Sequence, residues 1–168
     1  MIHVCSLALL PDIVKATGAS HLITVMANVH QVQRPPSIAA DNHLVISMDD
    51  INMPTEGFVA PQRDHVERVL DFGRRWNRAA PLVIHCYAGI SRSTASAFAI
   101  ACALNPERAE IDIARRMRRD SPTAHPNRLI VGHADELLGR QGRMIDALTE
   151  IGPGDMSIEG HPFRIELD

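Results

Sequence analysis

From residue 79 to residue 106 the chain holds one formally charged side chain, Arg92. Nothing else in the sequence limits the fold as strongly. Leu82-Val83-Ile84 runs into His85-Cys86 as a short, fully apolar strand. The segment Thr94–Leu104 has helical length and is small or apolar nearly all round, so it belongs in a core. A buried strand passing through a tight loop into a buried helix fits an α/β layer fold. An arginine inside such a segment needs a partner, because an unpaired buried charge is costly.

The rest of the chain has the same rhythm. Strands are predicted at Ile2–Cys5, His21–Met26 and His43–Met48, besides Leu82–Cys86. A short helix is predicted at Pro11–Thr17 and a longer one at Gln62–Asn77. In the longer one Val66, Val69, Leu70, Gly73 and Trp76 share a face. Further helices follow at Glu107–Arg119 and from Asn127, broken at glycines, to Ile151. The fold expected is α/β, with a central, mostly parallel sheet of four to five strands flanked by helices. One domain is expected over 1–151. Residues 152–168 read as a polar C-terminal tail.

Bulk properties exclude several functions. Net charge is −3, the wrong sign for a nucleic-acid binder that works by overall electrostatics. No apolar run approaches the ~18–20 residues that span a bilayer, and the N-terminus lacks the basic start of a signal peptide, so a cytoplasmic location is expected. Three cysteines, Cys5, Cys86 and Cys102, are too few and odd in number for a disulfide framework.

The chemistry concentrates in the loop after the strand. Tyr87, Ala88, Gly89, Ile90 and Ser91 lead into Arg92 and Ser93 at the start of the helix. A strand, a tight loop and a helix N-terminus present a row of backbone N–H groups, which suits a tetrahedral anion. Thiolates rather than thiols attack, and such a setting with a nearby cation favours the thiolate. Arginine grips two phosphate oxygens at once, which lysine does not. Gly89 gives the loop backbone freedom and close approach to the anion. The rival phosphate motif, GxxxxGK[ST], needs a lysine that this loop lacks.

His85-Cys86, five residues, then Arg92-Ser93 resembles the protein tyrosine phosphatase superfamily of cysteine-based phosphatases. AGISRS is most like its dual-specificity branch, and the whole chain, with DDINMPTEG, looks like small bacterial members. The resemblance implies Cys86 as nucleophile, with Arg92 and the amides of 87–92 holding the phosphoryl oxygens. It implies Ser93 as a hydrogen-bond donor to the leaving sulfur and His85 as a support of the loop. It also implies an aspartic general acid on a preceding loop, with neither metal nor other cofactor. Residues 41–62 hold Asp41, Asp49, Asp50 and Glu56 and no Lys or Arg. Asp49 and Asp50 end the predicted strand at the sheet edge that also carries Cys86. Asp50 is the expected acid and Asp49 the reserve.

Other readings compete. Ser93 also suits a helix cap, and Asp50 a turn at the strand end. Cys102 reads as a core residue, and so does Cys5 ahead of a resolving role beside Cys86. The run Arg115-Arg116-Met117-Arg118-Arg119 reads as a solvated helix face, and His133, Asp135 and Glu136 are too sparse for a metal site. Three functions follow: a phosphatase acting on phosphotyrosine, another phosphoprotein or a small phosphomonoester; a binding module that captures phosphorylated partners without turnover; or another cysteine-loop enzyme, such as a sulfurtransferase or arsenate reductase. The uncharged loop 87–91 disfavours polyphosphorylated lipids. The sequence leaves the oligomeric state open.

Overall fold

Side chains alternate along each strand, so each strand has one set of residues for each face of the sheet. In the computed structural model, which describes residues 1–167, both faces are covered. The strands are β1 (Ile2–Ser6), β2 (His21–Val25), β3 (His43–Ile46), β4 (Leu82–Cys86) and β5 (Phe163–Ile165). They lie in the order β3-β2-β4-β1-β5. The first four are mutually parallel, and β5 joins β1 antiparallel.

Ile2, Val4, Ile23, Val25, Leu82, Ile84 and Cys86 face the larger core. That side is covered by α2 (Arg63–Arg75), α3 (Arg92–Leu104), α4 (Glu110–Asp120), α5 (Arg128–Leu137) and α6 (Arg143–Ile151). Cys5, Leu22 and Val83 face a smaller core, closed by α1 (Leu10–Thr17) with Leu10 and Val14. The helix α3 is buried from Arg92 to Cys102, as its composition requires.

The predicted elements are all present, with shifted ends. The helix after Pro106 starts three residues later than expected, because Ala109 is extended and precedes the first turn. The third helical region is two helices, separated at Gly139 and Gly142, both in the left-handed region.

The polar tail expected over 152–168 is corrected at residues 163–165, while Asp168 lies outside the described residues. Phe163 and Ile165 are buried against the core, Arg164 points outward, and the strand they form closes one edge of the sheet. Three residues after Pro162 are too short a pattern to stand out in the sequence.

Candidate active site

Parallel strands deliver their C-terminal ends to one edge of the sheet, and Cys86 is the last residue of the central strand β4. From there the chain turns over residues 87–91 into α3, whose N-terminus lies beneath the turn. Gly89 has φ +74°, and a Cβ there would sit 2.7 Å from the backbone of Cys5 and Ser6. Only glycine meets both demands.

Several loop carbonyls are tied outward. Tyr87 O accepts from Leu7 N at 3.1 Å, Ile90 O from His125 N at 2.9 Å and Ser91 O from Asn127 N at 3.3 Å. A planar peptide points its N–H opposite to its C=O, so tying these carbonyls outward turns the following amides toward the loop centre. Cys86, 1% exposed as a residue, lies there, with its Sγ accepting from Gly89 N at 3.2 Å. Ser93 Oγ is also 3.2 Å from the sulfur. Ser93 is therefore inside the site rather than a cap. The hydroxyl at the capping position, Ser91 Oγ, donates instead to Asp50 Oδ1 at 2.7 Å.

Buried Arg92 is tied to the Asp50 segment, although its Nε has no hydrogen-bond partner among the described residues. Its Nη1 donates to Met48 O at 2.8 Å, and its Nε lies 3.6 Å from Asp50 Oδ2. The two adjacent aspartates divide sharply. Asp50 is held over the loop by Ser91 and by Asn127 Nδ2 at 3.0 Å. Asp49 turns the other way, and its Oδ2 accepts from Val59 N at 2.7 Å, closing its own loop. Asp41 lies in a short 3-10 turn before β3. Glu56 lines a cavity of about 630 Å³ with Phe58, Leu129 and His133.

Asn127 is a site residue that sequence reasoning missed. Its Oδ1 caps α5 by accepting from Leu129 N and Ile130 N, while its Nδ2 reaches Asp50 and Ile51 O. The helix start at Asn127 was visible in the sequence, but the residue's grip on the Asp50 segment joins residues 77 apart in the chain.

Below the loop, on the opposite face of the sheet from Cys86, His85 is fully buried. Its Nε2 lies 2.7 Å from Thr24 Oγ1, which also lies 2.8 Å from His43 Nε2. Burial first, and then the neighbouring His43, push the His85 pKa down to about 4, so the ring is neutral around pH 7. Cys5 and Cys102 are buried, and desolvation is the main force pushing each thiol up to about 12. Both are poor nucleophiles.

The remaining candidates lie elsewhere. Asp135 accepts from Gly142 N and Met144 N at the start of α6, and Glu136 pairs with Arg63. In the arginine run Arg115 pairs with Glu150, and Arg116 with Asp120 and Glu166. Arg118 departs from a solvated face: its guanidinium donates to the carbonyls of Ala124, Ile151, Gly152 and Pro153.

No family model matches the sequence, and no characterised protein matches it by sequence. Solved structures do match by shape. Cydia Pomonella PTP-2 phosphatase is similar with a TM-score of 0.61 at 18% identity, covering 82% of this chain and 83% of that one. Human DUSP28 gives 0.61 at 14% identity, covering 83% and 89%, and DUSP15 gives 0.60 at 18%, covering 90% and 92%. The fold is thus one that this chain shares with these phosphatase structures, an α/β arrangement around a mostly parallel sheet.

Proposed function

We propose that this protein hydrolyses phosphomonoesters through a cysteinyl-phosphate intermediate, with phosphotyrosine or another phosphoprotein as substrate. One observation carries the reading: Cys86 Sγ sits inside a loop of inward-turned amides with Ser93 Oγ at 3.2 Å, and Arg92 and Asp50 close the same loop. In the first step the Cys86 thiolate attacks phosphorus, an S–P bond forms and the ester P–O bond breaks. Asp50 gives its proton to the departing oxygen. The loop amides and Arg92 carry the charge on the phosphoryl oxygens. In the second step Asp50 takes a proton from water as it attacks phosphorus, and the S–P bond breaks. Orthophosphate leaves, and Ser93 donates a hydrogen bond to the returning thiolate.

The intact Cys86, Arg92 and Asp50 favour turnover over simple capture of a phosphorylated partner. The general acid held at the loop favours it over sulfur transfer or arsenate reduction. Purified protein is expected to hydrolyse an aryl phosphate between pH 5 and 7, sensitive to orthovanadate. Cys86→Ser abolishes the turnover, and Arg92→Lys lowers kcat by about 10²–10³, since a point charge cannot replace the fork. Full activity in Cys86→Ser would overturn the reading.

A further inference from the structure

The carbonyl of Ala88 is also tied outward, by a different part of the chain. Gly160 N donates to Ala88 O at 2.8 Å. Ala88 O and Gly89 N–H belong to one planar peptide and point in opposite directions. That same Gly89 N–H donates to Cys86 Sγ at 3.2 Å. The two hydrogen bonds therefore lie on either side of a single rigid plate. The geometry points to Gly160 as a positioning residue for the nucleophile, acting through the Ala88–Gly89 peptide, and to residues 155–165 as a strap that belongs to the active site.

The strap is built for this. Its approach to the loop requires glycine, since a Cβ at 160 would lie 2.5 Å from Gly89 O and 2.9 Å from Gly89 C. Its ends are anchored on both sides of the contact. Before it, Asp155 N donates to Pro122 O at 2.9 Å, and Ser6 Oγ donates to Glu159 Oε1 at 2.5 Å. Ser6 is the residue level with Cys86 across the sheet. After it, His161 N donates to Thr123 Oγ1 and His161 O accepts from Ser121 Oγ, both at 2.8 Å, and β5 then pairs with β1. A hydrogen bond to a charged acceptor is worth more than one to a neutral acceptor, so a tilted Gly89 amide weakens the thiolate more than the thiol.

The inference rests on the phosphatase reading only for the importance of Cys86, and its test does not need turnover. Alkylation by iodoacetamide is read at Cys86 itself by peptide mapping, so that Cys5 and Cys102, which are as buried as Cys86 and have thiols pushed up to about 12, do not enter the rate. Cys86→Ser gives the baseline. In Gly160→Ala, alkylation at pH 6 is expected to slow about tenfold, the size of one charge-assisted hydrogen bond, and the deficit to narrow near pH 9.5. The Gly89 amide should exchange hydrogen faster. Glu159→Ala, on an exposed residue, should shift both readouts in the same direction by about threefold, and it decides the matter if Gly160→Ala does not fold. Val14→Ala, in the core on the other face, lowers stability but leaves the alkylation rate at that of the unmodified protein. Unchanged alkylation at pH 6 in folded Gly160→Ala, or in Glu159→Ala if that variant must decide, overturns the strap. If the protein hydrolyses no phosphomonoester but the alkylation shifts appear, the phosphatase reading falls and the strap stands.

Discussion

Two segments flank the loop of residues 87–91, and they grip it in opposite ways. Residues 49–61 reach it through side chains: the Asp50 carboxylate meets Ser91, Asn127 and Arg92. Beyond Asn52 their hydrogen bonds, among the described residues, stay within the segment, as in Phe58 N to Thr55 O and Val59 N to Asp49 Oδ2. Met53 and Phe58 are exposed, and a cavity of about 630 Å³ lies beneath. Residues 155–165 grip it through the backbone, with Gly160 buried against Gly89. A side-chain grip suits a group that must gain and lose a proton and make room for a leaving group. A backbone grip suits a surface that must not move.

The largest test of that contrast lies on the side-chain flank. Asp50→Asn keeps the shape and removes the proton, so kcat for an aryl phosphate is expected to fall about 10²–10³. A substrate whose leaving group needs no protonation should lose much less. Steady-state rates on two aryl phosphates of different leaving-group acidity measure this. An equal loss on both would turn Asp50 into an anchor and make the two flanks alike.

The floor beneath the loop belongs to neither flank and should respond to pH instead. His85 is neutral in the folded protein, with its pKa lowered to about 4 from 6.5 by burial. The unfolded chain binds that proton from pH 6.5 downward, so the stability tied to His85 is complete above 6.5. It is lost as pH falls through 4, by roughly 3 kcal/mol for a shift of this size. Denaturant melts at pH 7 and pH 4 should show the loss, and His85→Gln should remove most of it while keeping a partner for Thr24. An unchanged slope in that variant would place the acid sensitivity elsewhere.

What the sequence disclosed follows the range over which each feature is determined. Cys86, Gly89, Arg92 and Ser93 lie within eight consecutive residues, and strand, turn and helix signals there are local. The mostly parallel sheet followed from the alternation of strands and helices, whereas its strand order did not. The strap was invisible because its decisive contact joins residue 160 to residue 88, and nothing in Glu159-Gly160-His161 marks a glycine chosen for close approach. Asn127 showed only as the start of a helix. Asp49 and Asp50 were indistinguishable because neighbours on an extended chain face opposite ways, and one residue of register decides which meets the loop.

That register can be tested directly, and it gives the smallest effect. Asp49 Oδ2 accepts from Val59 N and Asp49 N donates to Val59 O, both at 2.7 Å, so Asp49 closes the base of the acid segment without facing the sulfur. Asp49→Asn keeps an acceptor oxygen and should cost about 0.5–1 kcal/mol of stability and less than tenfold in kcat. Asp49→Ala removes the tie. It frees the segment carrying Asp50, so KM and kcat should both worsen a few-fold while the leaving-group dependence stays as in the unmodified protein. Retained leaving-group dependence is the discriminating reading, because it shows that the proton still comes from Asp50. If Asp49→Asn instead matched the loss expected of Asp50→Asn, the two carboxylates would have exchanged roles, and the side-chain flank would have to rotate by one residue to deliver its acid.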